Sequence, residues 1–536
     1  MKNFFIGLFI FIVTAVSIYG CAEAKEEKRT FQGLIGAYYG NDDFTRIKES
    51  EILRSLEQDW TEETGHGDNW SGVWEGMLRI PADKEIKFIL EATKWTQLEI
   101  GSHSMSAGGE NGKLTELSLA STDTEAVPIK LSYRHAGGEG SFKVSWQWQG
   151  RQSEIIPNKF IYFTEDQALA WNWIPEPDIK EIDFSQFAKP KSEHIIVYYE
   201  DGRFCGWPAN NGIWSWGDEI AVGFTLGFYK ENILHHSVDR SKPSKSVIAR
   251  SIDGGQSWKL EDPQNYFDEG SDIKNLDTPI QFSHPDFAFR SSGRKFRFSY
   301  DRGTTWHGPH EFPSFNRQKL TSRTDYIING DKDCHFFLST FDDQVQARLQ
   351  DHTFCVRTID GGQTFEFLSW IGEPKNVRAV MPSSIRLSDS HLLTAMRMRF
   401  DEKFKDKPSL GNNWIDVYES RDNGKTWRFL SKVAETDMGK HNGNPPSMVL
   451  LKDGRICVTW GYRAVPYGIR AKISTDQGKS WGEELHLRDD GREFDLGYTR
   501  SVQREDGKIV TIYYISTEEH YEQHIAATIW DPDVMM

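Results

Sequence analysis

In the stretch "DLGYTRSVQREDGKIVTIYY" (Asp495 to Tyr514), Tyr498 and Arg500 lie two residues apart, and a period-2 strand sends both to one face. The same alternation in "SSIRLSDSHLLTAMRMRF" (Ser383 to Phe400) gives Arg397 and Arg399 a shared face. "GYRAVPYGIRAKI" adds Arg463 and Arg470. Clustered arginines answer a carboxylate, because guanidinium pairs it bidentately and stays charged. Other segments mix aromatic and amide groups. "WPANNGIWSWGDE" (Trp207 to Glu219) sets Trp207, Trp214 and Trp216 among Asn210, Asn211, Asp218 and Glu219. Tryptophan faces stack on sugar C–H surfaces, and amides bind hydroxyls. "GKHNGNPPS" offers His441, Asn442 and Asn444, and "SRTDY" offers Arg323 and Asp325. Each has a plain structural alternative: arginines near turns sit on surfaces, Gly/Asn/Pro loops are turns, and a tyrosine packs between sheets.

The elements that must position these residues announce themselves by repetition. "SIDGGQSW" at Ser251 recurs as "SYDRGTTW" at Ser299, "TIDGGQTF" at Thr358, "SRDNGKTW" at Ser420 and "STDQGKSW" at Ser474. The aspartates Asp253, Asp301, Asp360, Asp422 and Asp476 recur at roughly 50 to 60 residues, a period that marks repeat architecture. Within each unit Asp accepts hydrogen bonds from turn amides, Gly permits positive φ, and the aromatic packs beneath. Strand-like runs flank every unit, which predicts four-stranded blades and a β-propeller from residue 195 to 536.

Residues 31 to 165 read as a separate all-β domain. "GLIGAYYG", "WSGVWEGMLRIP" and "KFILEATKWTQLEIG" are strand runs, and "PIKLSYRHAGGEGSFKVSWQW" predicts a hairpin around Gly137 to Gly140. Residues 166–194 carry prolines and lack periodicity, which predicts a linker. The first 20 residues pair a lysine with an apolar run and fit a secretory signal.

A chain of 536 residues exceeds one ordinary core. Nineteen Trp, 33 Phe, 18 Tyr and 45 Gly describe a turn-rich β protein. The net charge of −16 argues against a nucleic-acid partner, yet a local arginine cluster still holds an anionic ligand. Cys205, Cys334, Cys355 and Cys457 fit no zinc spacing, and no metal or cofactor is expected. Pairing in an exported protein and buried free thiols both remain open for them.

Three resemblances sharpen these expectations. The eight-residue unit resembles the Asp-box repeat of the sialidase (neuraminidase) superfamily, and the length divided by the mean repeat spacing gives about six blades, with N- and C-terminal strands sharing the closing one. It also implies that the repeated aspartates are scaffold. The region 31–165 resembles the protective-antigen-type β-sandwich module; Lys94 and Trp95 stand where its calcium-binding members carry adjacent aspartates, so no calcium site is expected there. "SIYGC" resembles a bacterial lipoprotein box, implying lipidation of Cys21, a tether over 21–30, and a lipid-anchored outer-membrane protein, monomeric, with no other membrane contact.

The sialidase resemblance implies Tyr498 as nucleophile, Asp239 (in "HHSVDRSK", beside His235, His236 and Arg240) as acid-base, and a substrate-binding set of Arg397, Arg399, Arg463, Arg470 and Arg500, to which the sugar-binding segments add Trp207, Asn211 and His441. Two departures stand out. "CGWPA" has Gly206 where the family has an arginine, and "AVMPSS" lacks the glutamate that activates the tyrosine. The expected activity is therefore sialidase-like hydrolysis of a terminal acidic sugar, with two rivals. One is β-elimination on a uronate glycan with Tyr498 or His441 as base; the other is a non-catalytic glycan-binding protein.

Overall fold

A computed structural model describes residues 30–535 except 42, 45–46, 61–68, 122–125, 172–181, 233–235, 267–271, 318, 342–351, 373–376, 401–411 and 438–442. The signal segment, Cys21 and His441 lie outside the described residues. The fold is all-β, in two compact units divided at Pro175.

In the first unit two antiparallel sheets enclose one core. Strands Asn69–Arg79 and Ala126–Ala136 centre one sheet, and Lys84–Ala92 and Gly140–Trp148 centre the other. Alternating side chains put Trp70, Trp74, Phe88, Tyr133 and Trp146 into the shared interior, each at most 1% exposed. The expected hairpin at Gly137 to Gly140 is corrected here. Ala126–Ala136 pairs with Asn69–Arg79 and Thr96–Ile100, whereas Gly140–Trp148 pairs with Lys84–Ala92. The glycine turn carries the chain from one sheet to the other, so each strand buries its apolar face from the opposite side. Lys94 Nζ donates to the Gly137 carbonyl at 2.6 Å, and the Arg134 guanidinium lies 4.5 Å over the Trp95 ring.

The second unit is a series of antiparallel sheets, most built from strands consecutive in sequence. Glu219–Phe228 and Lys245–Ser251 lead the first sheet; a seven-stranded sheet runs from His307–Glu311 to Glu366–Trp370. Within it, Ala288–Ser292 meets Lys319–Gly330 through a single residue pair, Ser292 with Arg323. Two four-stranded sheets follow, from Val377–Arg386 to Arg428–Glu435 and from Ser447–Leu450 to Leu485–Arg488. The last sheet joins Gly497–Gln503, Ile509–Ile515 and His524–Met535 to Pro190–Tyr198, so the two ends of this unit pair with each other. That strand starts inside the segment expected to be linker, and the short helix Glu165–Ala170 overlaps that segment's start.

All five eight-residue units fold into one hydrogen-bond pattern, each between the last two strands of its run. The first hydroxyl (Ser251, Ser299, Thr358, Ser420, Ser474) donates to the Asp Oδ1 at 2.7–2.8 Å. The same hydroxyl accepts the amide of the turn glycine at 2.8–2.9 Å. Each Asp also takes the amide and hydroxyl of the Ser or Thr four residues on, as Asp422 does from Thr426 at 2.9 and 2.7 Å. These aspartates tie turns together and touch no site.

Asp422→Ala is expected to cost about 1–3 kcal/mol by stranding these donors, read as a lowered melting temperature with activity of the folded fraction unchanged. The side-chain bond from Ser257 leads in holding Asp253 at about 2, and that from Ser480 does the same for Asp476. Their folded pKa values lie below the unfolded value of about 3.9. The stability they add is thus complete above pH about 4 and lost as pH falls toward 2, which an acid melting series reads directly.

Cys205, Cys334, Cys355 and Cys457 are free and buried. Among the described residues no helix is long and apolar enough to cross a membrane.

Candidate active site

Tyr498, the second residue of the strand Gly497–Gln503, adopts a backbone conformation rare for a bulky residue, φ +51°. Its amide donates to Asn444 Oδ1 at 2.7 Å, and Asn444 Nδ2 donates to the Leu496 carbonyl at 3.0 Å. Gly497 makes this clamp possible: at φ +100°, a Cβ there would stand 2.2 Å from Asn444 Oδ1. Asn444, expected as a sugar ligand, instead holds the tyrosine's turn. Two other bulky residues of the same core adopt positive φ, Trp207 at +60° and Met381 at +57°. Such strain persists where surrounding structure over-determines it, and it gathers at functional sites.

Arginines from several sheets converge electrostatically on Tyr498. Burial pushes its phenol up, but Arg397, Arg463, Arg323 and Arg378 together outweigh it and leave the phenol below its ordinary value. The Arg463 guanidinium lies 5.6 Å from the Tyr498 ring centre and donates to the Leu496 carbonyl and to Tyr514 Oη at 3.0 and 2.9 Å. Arg378 stands opposite Arg399, and Val380 opposite Arg397, across the pair Val377–Arg386 and Leu392–Phe400.

Arg397 is 4% exposed. Its one hydrogen-bond acceptor among the described residues is the Met381 thioether, 3.5 Å from Nη1, and its Nε has none. Burial pulls this guanidinium down to about 10, with Arg378, Arg463 and Arg399 pulling the same way and Tyr498 opposing. A buried cation without an oxygen partner is costly. A carboxylate oxygen has the chemistry of the acceptor this guanidinium lacks among the described residues.

Behind the tyrosine lies a second network. The Asp495 carboxylate is fully buried and accepts Tyr514 Oη at 2.6 Å and the Ser237 amide at 3.0 Å. His236 Nδ1 stands 2.6 Å from Asp495 Oδ1. The imidazole meets the Tyr498 ring edge-on, with centroids 6.3 Å apart. Trp207 also packs edge-on against His236, with centroids 4.9 Å apart.

Several expected site residues fall elsewhere. Arg500 turns away from Tyr498, donating to the Ala209 and Thr324 carbonyls at 2.7 and 2.8 Å. The alternation fails because the register shifts between Gly497 and Arg500, where Tyr498 takes its positive φ. Arg470 is bound to Asp489 at 2.9 Å and to the Pro466 carbonyl at 2.7 Å, inside its own sheet's loops. Asn211 Oδ1 accepts from buried Arg290 at 2.9 Å, so it braces an arginine.

Asp239 caps its own turn, accepting the Ser241 hydroxyl and amide at 2.6 and 3.1 Å. The Ser241 hydroxyl bond leads in holding its carboxyl below the usual range, which is wrong for a proton donor at neutral pH. Asp325 takes the Ser384 amide and hydroxyl. Arg397, Arg463 and Trp207 do join Tyr498, and Arg399 lies in the same electrostatic group. Sequence reasoning missed Arg378, Asp495 and Tyr514 as site residues. The last two bound the very stretch that carries Tyr498; only the fold shows that they meet.

No family model matches the chain. Among curated proteins, the anti-sigma-I factor RsgI3 of Acetivibrio thermocellus is 22% identical over 240 residues, which cover 36% of this chain and 35% of that protein. The chain thus spans about a third of that relative's length. Among solved structures, a protein of unknown function from Dyadobacter fermentans aligns with a TM-score of 0.48 at 18% identity, over 65% of this chain and 99% of that one. A mutant Trypanosoma rangeli sialidase displaying trans-sialidase activity aligns with a TM-score of 0.42 at 11% identity, over 64% of this chain and 59% of that one.

Proposed function

We propose that the second unit is a six-bladed propeller, the seven-stranded sheet counting as a three-stranded and a four-stranded blade, and that it is a glycan-processing enzyme for a sugar bearing a carboxylate. The observation that carries this reading is Arg397, a buried guanidinium with no oxygen acceptor among the described residues, inside the arginine group that lowers Tyr498. Arg397, Arg463, Arg323 and Arg378 receive the carboxylate; Tyr498 is the reactive group.

β-Elimination suits this set best. Removing the proton beside a carboxylate builds negative charge, which fixed cations stabilise. Tyr498 as phenolate takes the C5 proton, that C–H pair becomes the C4=C5 bond, and the C4–O pair departs on the glycosidic oxygen. Hydrolysis through a tyrosyl intermediate passes instead through a cationic sugar, which the same guanidiniums oppose. Hydrolysis is the second reading, favoured by a lowered phenol that also serves as a nucleophile.

The test is incubation with polygalacturonate, alginate, glucuronan and a sialylated glycan. Ultraviolet absorbance of an unsaturated uronate is the expected result. Products heavier by one water move the assignment to hydrolysis, and no product from any substrate removes the enzyme reading. Lipid anchoring through Cys21 belongs to the same proposal: Cys21→Ser is expected to release the protein from the membrane fraction, and unchanged association would refute it.

A further inference from the structure

Resting on that reading, we infer that His236, held by the buried carboxylate of Asp495, is the residue that delivers the proton to the departing glycosidic oxygen. No sequence feature separates His236 from Asp239; the geometry of the two does.

Asp495 is fully buried and meets donors from three places: Tyr514 Oη at 2.6 Å, the Ser237 amide at 3.0 Å and His236 Nδ1 at 2.6 Å. A bare Nδ1 would aim its lone pair at a carboxylate oxygen across 2.6 Å, which is repulsive, so the proton sits on Nδ1. Trp207 Nε1, 3.3 Å from the same nitrogen, is then a packing neighbour, because Nδ1 has one in-plane position and Asp495 fills it. Fixing the proton at Nδ1 makes Nε2 the working nitrogen, a donor when the ring is charged and an acceptor when neutral. Asp495 is wholly buried, whereas the His236 side chain is 26% exposed. The dyad therefore has a buried anchor and a reachable end, beside Tyr498.

The proton count closes. Tyr498 phenolate gains the C5 proton and becomes phenol; Nε2–H of His236 passes its proton to the leaving oxygen, and the ring becomes neutral with Nδ1–H still on Asp495. Returning one proton from Tyr498 to His236 through solvent restores both groups. The titratable groups facing His236 are Asp495, Tyr514 (3.5 Å from Nδ1) and Tyr498; Arg463 acts on Asp495, and Asp495 in turn raises Glu493. Asp495 is a positioning residue: burial pushes its carboxyl up, and His236 and Arg463 outweigh this to keep it ionised.

Nitrogen-15 NMR of histidine-labelled protein tests the dyad without any substrate, the His236 signal being identified by its loss in His236→Gln. At a pH high enough to remove the Nε2 proton, a neutral ring that keeps its proton on Nδ1 is expected in the wild type, and a mixture of neutral tautomers in Asp495→Asn. A neutral wild-type ring protonated at Nε2 instead overturns the inference. On whichever polyuronate the wild type cleaves, His236→Gln should lose about 10²–10⁴-fold in turnover, and added imidazole should restore part of the rate in His236→Gly. Asp495→Asn should displace the pH profile of kcat/KM, which a merely destabilised protein would not do. Full turnover in His236→Gln removes the catalytic role and leaves Tyr498 standing. A wild type inactive on every polyuronate overturns the elimination reading and, with it, this role.

Discussion

Tyr498→Phe is expected to melt with the wild type and to lose about 10²–10⁴-fold in turnover on the acidic glycan that the wild type cleaves. The ring keeps its neighbours: Tyr514 and His236 lie 5.9 and 6.3 Å away, centroid to centroid. Its hydroxyl is the atom the chemistry needs. Substrate should still bind, because the carboxylate is held by guanidiniums rather than by the phenol. A second signature is spectroscopic. The arginines hold the Tyr498 phenol below its ordinary value of about 10 against the effect of burial. An alkaline absorbance titration should therefore show one tyrosine ionising early in the wild type, and Tyr498→Phe should erase that step. The sign on stability follows. A phenol depressed in the fold adds stability fully present above pH about 10 and lost as pH falls through its folded value. Full turnover in Tyr498→Phe would reduce Tyr498 to packing.

Arg397→Met should move stability and function in opposite directions. The fold holds this guanidinium 4% exposed, with a thioether as its one acceptor among the described residues. Replacing a poorly compensated buried ion by an apolar chain of similar length is neutral or stabilising by about 1–4 kcal/mol. A raised melting temperature is thus expected. Binding of an acidic sugar should weaken by about 10²-fold or more, as when one member of a buried charge pair is removed. The Tyr498 phenol should rise as well, since Arg397 leads the guanidiniums that lower it. A variant that melts lower and binds as before would show that Arg397 is an ordinary structural arginine.

The scaffold was legible because its signals are local. Each eight-residue unit carries its own hydroxyl, aspartate and glycine, so the turn is written within one window and recurs visibly. The site was legible only in part. Arg397, Arg463, Trp207 and Tyr498 were identifiable by type, but their company depends on which strands lie side by side. Arg500 misled because period 2 assumes an unbroken strand, and the positive φ of Tyr498 breaks it at that step. Asp239 misled because a loop aspartate looks the same in sequence whether it serves chemistry or caps its own turn through Ser241. Asp495 and His236 are 259 residues apart in sequence. No local pattern joins them; the pairing of Pro190–Tyr198 with His524–Met535 is a long-range contact that brings the two ends of the second unit together.

The central claim is that this arginine group is built for a carboxylate. Calorimetric titration of the wild-type protein with a uronic-acid disaccharide and with its methyl ester tests that claim most directly, because the two differ only in the charge the arginines are said to read. The acid should bind more tightly than the ester, and the difference should shrink by about 10²-fold in Arg397→Met. Equal binding of acid and ester, or discrimination undiminished in Arg397→Met, would contradict the account.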